Sequence, residues 1–230
     1  ALKSMADFKG QQLESQIGGQ LLRINNKEVW VKLIGDFNAY NLLAIYGTAS
    51  LLGIEENEIL PVMSVLESVN GRFQYFISKG KITVIVDYAH TPDALQNVLN
   101  TINKIRTGNE TLYTVVGCGG DRDMAKRPVM AKVAATLSSK VIFTSDNPRS
   151  EDPEEIIRQM EAGVPGEYYK KTLSIVNRKE AIKAACQMAE ENDIILIAGK
   201  GHETYQEIKG ERFDFNDYKI ANELLTTLNK

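Results

Sequence analysis

The spacing of apolar and polar positions divides this chain into two regimes. Residues 20–34, QLLRINNKEVWVKLI, set two β-rich runs on either side of Asn25-Asn26, the pattern of a hairpin. From Asn41 to Leu52 apolar residues recur at helical spacing, with Gly53 as a stop, and a second short helix is predicted over about 55–67. From Gly71 onward, strand and helix alternate. KITVIVDYA (81–89) is a β-branched apolar run, as in a strand buried on both faces. Thr91-Pro92 then offers an N-cap and a first-turn proline to a helix whose Leu95, Val98, Leu99 and Ile102 form one stripe. TLYTVVG (111–117) and KVIFTS (140–145) read as strands, with a helix from Pro128 to Leu137 between them. Asp152-Pro153-Glu154-Glu155 predicts a capping box in which Glu155 reaches back to the cap, and Asn177 with Glu180 repeats it for a helix over 178–190. DIILIAG (193–199) is a further strand, TYQEIKGERFDF (204–215) a hairpin, and about 218–229 a closing helix.

Strands joined by helices of this length imply right-handed crossovers and a mainly parallel sheet. The expected fold is therefore α/β, a Rossmann-like doubly wound sheet over 71–230, with residues 1–70 belonging to a different unit. The opening ALKSMADFKG carries no start signal and reads as the middle of a longer protein. Two cysteines in 230 residues, Cys118 and Cys186, support neither a disulfide framework nor a thiolate metal site. A net charge of -3 gives no nucleic-acid footprint. No apolar run reaches the roughly 18 residues of a membrane span and no signal peptide opens the chain, so a cytoplasmic location is expected.

In open parallel sheets, ligands bind beyond the carboxyl ends of the strands. Four such ends carry ionisable groups here: Asp87-Tyr88-Ala89-His90, GCGGDRD (117–123), SDNPR (145–149) and GKGHE (199–203). Each also has a purely structural reading. Asp87 could cap the helix at Pro92, Asp121, Arg122 and Asp123 could pair among themselves, and Asp146 and Asn147 before a proline are ordinary turn chemistry. The glycine cluster lacks the third glycine of a dinucleotide fingerprint, and Lys200 is followed by Gly201, so it opens no phosphate-cradling loop. No set of histidines and carboxylates has metal-ligand spacing. Taken together, the loops offer two guanidinium groups (Arg122, Arg149), an amide (Asn147) and a carboxylate (Glu203). Arginine forks suit carboxylates and a glutamate suits an ammonium, so the set recognises an amino acid.

The same residues carry a resemblance to the Mur ligases, the ATP-dependent amide ligases of bacterial cell-wall synthesis. It spans nearly the whole chain. GDFNAYNLLA resembles the family's segment at the end of the central domain, and GRFQYF the opening of its C-terminal domain, with Gln74 where a Glu is usual. VIVDYAHTPDAL, VVGCGGDRDMAKRPVM, TSDNPRSEDP and AGKGHETYQ complete it. The resemblance implies that 1–70 is the tail of a central ATP-binding domain and 71–230 the amino-acid-binding domain. The DNPR turn marks the branch that adds meso-diaminopimelate. Arg122, Asn147, Arg149, Gly199 and Glu203 would then hold that amino acid, with Asp146 and Pro148 shaping the turn and Arg149 and Asn147 gripping its distal carboxylate. Asn38 and Asn41 would lie toward the adenine or phosphates, Arg72 beside the nucleotide and Asp87 at the ribose. His90, near the phosphates, is the sole catalytic candidate. The reaction implied is ligation of meso-diaminopimelate to UDP-N-acetylmuramoyl-L-alanyl-D-glutamate through an acyl phosphate, using ATP and Mg²⁺. The phosphate-cradling loop, the Mg²⁺ ligands, a carbamylated lysine and the UDP-sugar site would all precede Ala1, so no metal site is expected within these residues and the piece alone should not turn over ATP. Competing readings are a lysine-adding or folylpolyglutamate-type ligase, a non-catalytic amino-acid-binding module, and a dinucleotide-dependent oxidoreductase.

Overall fold

A computed structural model describes residues 6–230 and separates them into two compact units. One runs to Ser68 and takes in Lys104–Arg106; the other comprises Val69–Asn103 and Thr107–Lys230.

The first unit holds an antiparallel sheet of β1 (Gly10–Gln16), β2 (Gly19–Ile24) and β3 (Lys27–Val31), followed by α1 (Asp36–Leu51) and α2 (Glu56–Val65). The β2–β3 hairpin turns at Asn25, whose φ of 51° is the left-handed conformation asparagine tolerates. β1 was not legible in the sequence. Its facing positions are only half-buried, and its pairing with β2 slips at a bulge between Gln12 and Glu14, so the alternation is lost. Leu22, Ile24, Val29 and Val31 from the sheet pack with Ala39, Leu42, Leu43 and Tyr46 of α1 and Ile59 and Met63 of α2. Helix α1 begins five residues before the predicted Asn41, and Phe37, Tyr40, Ile45 and Leu51 stand exposed on it among polar residues such as Asn41 and Thr48.

The second unit is an α/β sandwich on a six-stranded sheet. Its strands, in spatial order, are β4 (Gln74–Ile77), β5 (Thr83–Asp87), β9 (Ile194–Ala198), β6 (Leu112–Val116), β7 (Lys140–Phe143) and β8 (Thr172–Ser174). All neighbours are parallel except β4, which runs antiparallel to β5. Every residue of β5, β6 and β9 is buried, which is why those segments read as continuous apolar runs. Helices α6 (Arg178–Met188) and α7 (Asp217–Thr227) cover one face, packing Ala181, Ile182, Ala185, Ala221 and Leu225 against Val84, Val86, Val115, Ile195 and Ile197. Helices α3 (Pro92–Ile105), α4 (Lys126–Leu137) and α5 (Pro153–Glu161) bury their stripes outside that cluster, on the other face. The chain steps β5, β6, β7, β8 in one direction, then returns to insert β9 between β5 and β6. The reversal opens a crevice at the carboxyl ends of these three strands.

Local signals behave largely as their chemistry dictates. The Ala94 amide donates to Thr91 Oγ1 (3.3 Å), so Thr91, not Asp87, caps α3. The amides of Glu154 and Glu180 donate to Asp152 Oδ1 (3.0 Å) and Asn177 Oδ1 (3.1 Å). Glu155 does not complete the expected box. Its carboxylate turns along the helix to Gln159 and Arg158, since a nearby cation and amide compete better than a single backbone amide. The predicted hairpin forms as β10 (Tyr205–Ile208) and β11 (Glu211–Asp214), with positive φ at both Lys209 and Gly210 as its turn demands.

Candidate functional site

The loops leaving β5, β6, β7 and β9 close around one cavity of about 370 Å³. Its walls include Tyr88 and His90 after β5, Gly119 and Arg122 after β6, Asp146, Asn147 and Arg149 after β7, and Gly199 and Glu203 after β9. Arg122, Arg149 and Glu203, from three different loops, therefore face the same small volume. Pro148, Arg72 and Asp87 are not in its lining, and Asn38 and Asn41 lie in the first unit, on α1.

Close backbone approach sets the positions of these loops. A Cβ on Gly120 would sit 2.0 Å from the Pro148 carbonyl oxygen, and one on Gly199 would sit 2.6 Å from Asp146 Oδ2. The glycines of GCGGDRD thus let the β6 and β7 loops touch. Arg149 Nη1 donates to the Gly120 carbonyl at 2.7 Å, across the same contact. The Arg149 backbone is pinned on its other side. Its amide donates to Glu207 O (3.1 Å) and its carbonyl accepts from Lys209 N (2.7 Å), so the turn joins the edge of β10. Held this way, Arg149 adopts a φ of 52°, a conformation non-glycine residues seldom occupy.

Among the described residues, Asp121, Arg122 and Asp123 form no side-chain ion pair with one another, the structural alternative to a ligand role. Asp121 accepts from the Ser150 hydroxyl (2.6 Å) and amide (3.2 Å), and these bonds hold its carboxyl below the usual range. Asp123 accepts from Ala125 N (2.9 Å) at the entrance to α4. Among the described residues Arg122 bonds the neighbouring Asp121 carbonyl through Nη1 (3.0 Å), and its side chain lines the cavity. Beneath these loops the fully buried Arg127 clasps Glu151 with both terminal nitrogens, at 2.8 Å each.

Glu203 sits in the most constrained part of the wall. Its Oε2 accepts from Asn147 Nδ2 (2.8 Å) and from Lys200 Nζ (2.9 Å). Lys200 also donates to Asn147 Oδ1 (2.8 Å), and so does the Glu207 amide (2.9 Å). Burial works against ionising Glu203. The hydrogen bond and charge of Lys200, the Asn147 amide and nearby Arg149 outweigh it and hold the carboxyl below the ordinary glutamate value. Asn147 lines the cavity and is 2% exposed, its amide braced between Glu203 and Lys200. Sequence reasoning passed over Lys200, judged only against phosphate loops, along with Arg127, Glu151 and Lys126, whose Nζ donates to the His90 carbonyl at 2.9 Å.

Tyr88 organises the far side. The Arg72 guanidinium lies 4.6 Å from its ring centroid, and the rings of His90 and His202 stand 4.5 and 5.1 Å away. His90 is exposed and its Nδ1 meets the Tyr88 carbonyl at 2.8 Å. Asp87 is buried, which pushes its carboxyl up, while the amides of Phe73 (2.7 Å to Oδ2) and Ala89 and the Arg72 charge pull it partly back. It fastens the Gly71–Phe73 turn from beneath. On α1, Asn38 Nδ2 donates to the Ile34 carbonyl (2.8 Å) and Asn41 Nδ2 to Asn38 Oδ1 (3.4 Å).

Comparison with known proteins agrees with this architecture. Residues 71–201 match the family model described as "Mur ligase, glutamate ligase domain". Over all of its length the chain is 55% identical to the UDP-N-acetylmuramoyl-L-alanyl-D-glutamate--2,6-diaminopimelate ligase of Cytophaga hutchinsonii, of which it spans 47%. It is 55% identical over 97% of its length to the ligase of the same name from Bacteroides thetaiotaomicron, spanning 46% of that protein. The chain thus covers about half the length of these relatives. A solved 2,6-diaminopimelate ligase superposes on 99% of the chain with a TM-score of 0.74 at 36% identity, the chain covering 47% of it. Folylpolyglutamate synthase from Thermotoga maritima superposes on 84% of the chain, covering 44% of that structure, with a TM-score of 0.67 at 18% identity, a likeness of fold. With its match running from the first strands of the sheet to the last of the four cavity loops, the chain belongs to the Mur ligase family.

Proposed function

We propose that these residues form the amino-acid-binding part of an ATP-dependent ligase that joins meso-diaminopimelate to the D-glutamate of UDP-N-acetylmuramoyl-L-alanyl-D-glutamate, in peptidoglycan synthesis in the cytoplasm. The observation that carries this reading is the convergence of Arg122, Arg149 and Glu203 on one cavity of about 370 Å³. Arg149 supplies a fork for the distal carboxylate, Glu203 an acceptor for the distal ammonium, and Arg122 a second cation for carboxylate. Lysine has an ammonium but no distal carboxylate. A site built this way would leave the part of the Arg149 fork not held by the Gly120 carbonyl without its carboxylate when lysine binds, and reject lysine by roughly 10⁴-fold.

In the reaction, the γ-carboxylate of D-glutamate takes the terminal phosphoryl group of ATP and ADP leaves. The free amine of diaminopimelate then attacks the acyl carbon and phosphate departs. What this chain contributes is orientation of the amine and exclusion of lysine. No group in the cavity is assigned as a general base, and His90 is held as a candidate for contact near the phosphates. Residues 1–70 are read as the tail of a central ATP-binding domain and 71–230 as the amino-acid domain. For the nucleotide, Asn38 and Asn41 in the first unit and Arg72 and Asp87 in the second are held as proposed contacts, Asp87 at the ribose. Among the described residues no group of three or more His, Cys, Asp or Glu could hold a metal ion.

Calorimetric titration of the full-length ligase with meso-diaminopimelate and with lysine tests the reading, repeated with Arg149→Ala. Strong preference for diaminopimelate, lost in the variant, is expected; an unchanged preference would defeat the role given to the turn. The 230-residue chain alone is expected to release no ADP in response to diaminopimelate.

A further inference from the structure

Lys200 is 0% exposed, and the role just proposed for the cavity leaves it unused. A buried ammonium is costly unless fully partnered. Here it has two partners, Asn147 Oδ1 at 2.8 Å and Glu203 Oε2 at 2.9 Å, and it lies 5.5 Å from the centroid of the Tyr205 ring. The two partners come from different loops, 53 and 3 residues away in sequence. Because Lys200 and the Glu207 amide both donate to Oδ1, the Asn147 amide can face only one way, with Nδ2 toward Glu203. Glu203 Oε2 is thereby occupied twice. Oε1 accepts from no described residue, and Glu203 lines the cavity.

We infer that Lys200 is the positioning residue of the ammonium subsite: it fixes the Asn147 amide and the inner oxygen of Glu203, so that the outer oxygen is presented, ionised, to the amino group of the incoming substrate. This rests on the amino-acid reading of the cavity given above. Lys200 need not touch the substrate. Without it, Glu203 would face burial with fewer compensating groups. Those that remain are Arg149 from the β7 loop, the Asn147 amide, and Arg178 at the start of α6, whose charge feels both Asp146 and Glu203. With less to offset its burial, the Glu203 carboxyl is expected to move up in such a variant, Arg149 and Arg178 limiting the rise. Glu203 would lose its attraction for an ammonium as the pH fell.

The test is steady-state kinetics of the full-length ligase bearing Lys200→Met or Lys200→Gln, with Glu203→Gln as a reference. In both lysine variants KM for meso-diaminopimelate is expected to rise roughly tenfold to a hundredfold, the scale of a lost charge-assisted hydrogen bond, with KM for ATP unmoved. The rise should steepen relative to wild type as the pH is lowered, whereas Glu203→Gln should be weak at every pH. Lys200→Gln keeps a donor and most of the volume, so it carries the test if Lys200→Met does not fold. A uniform fall in kcat with no change in the pH profile of KM would reduce Lys200 to packing and overturn the inference. If Glu203→Gln itself leaves KM for diaminopimelate unchanged, the amino-acid reading fails, which is a different result.

Discussion

Arg127 and Glu151 meet in a two-pronged ion pair, Nη1 to Oε2 and Nη2 to Oε1 at 2.8 Å each, directly beneath the loops that carry Arg122 and Arg149. Arg127 is wholly buried and also donates to Gln159 Oε1 at 2.7 Å, while Glu151 accepts from the Asp121 amide. One carboxylate therefore ties the start of α4 to the β6 and β7 loops. Replacing it, as in Glu151→Gln, strands a buried guanidinium and is expected to cost about 3 kcal/mol, read by urea unfolding.

The same pair sets an acid dependence. The hydrogen bond from Arg127 holds the Glu151 carboxyl below its ordinary value of 4.5. A carboxyl depressed in the folded state stabilises above its unfolded-state value and loses that contribution as pH falls through the folded one. Stability of the wild type should thus decline as the pH is lowered below 4.5, and the decline should be shallower in Glu151→Gln. Parallel curves for the two proteins would contradict this account.

Arg178 and Asp217 form a second ion pair in which both side chains are fully buried, with bonds of 2.8 Å from Nε and Nη2, and Nη1 finds no hydrogen-bond partner among the described residues. Asp217→Asn should cost roughly 3–5 kcal/mol because it leaves the cation uncompensated. The double change Arg178→Met with Asp217→Leu should be much milder, since both charges leave together. Chemical denaturation of the single and double variants measures the difference.

Gly120→Ala should weaken diaminopimelate binding in the full-length ligase without touching a charged group. Its Cβ would lie 2.0 Å from the Pro148 carbonyl oxygen, so the β6 and β7 loops must part, and Arg149 would lose its bond to the Gly120 carbonyl. A stability loss of about 1–3 kcal/mol is expected alongside the higher KM, as for other overpacked sites. Unchanged melting and KM would show that the loops need not touch.

Both thiols should resist alkylation in the folded protein. Burial pushes Cys118 and Cys186 up to about 12, and Cys118 additionally rests against Met130 Sδ at 3.6 Å. Mass spectrometry after iodoacetamide treatment near neutral pH should find neither modified until denaturant is added. Prompt labelling of Cys118 would mean that the cavity wall opens.

The alternation of apolar runs and amphipathic helices by itself determined the α/β class and the existence of β5, β6, β7 and β9, because strands buried on both faces are mostly apolar at consecutive positions. It also marked the four loops, since ionisable residues at successive strand ends need a reason beyond turning the chain. Short edge strands escaped it. β4 and β8 are held by hydrogen bonds from one neighbour each, and their half-exposed side chains carry no clear period. Only the tertiary structure placed β9 between β5 and β6, the step that brings GKGHE beside DNPR. That placement also decided what Lys200 and Asn147 do. A lysine is read as solvent-facing until a carboxylate and an amide from a distant loop are seen to surround it, and no local pattern encodes a partner 53 residues away.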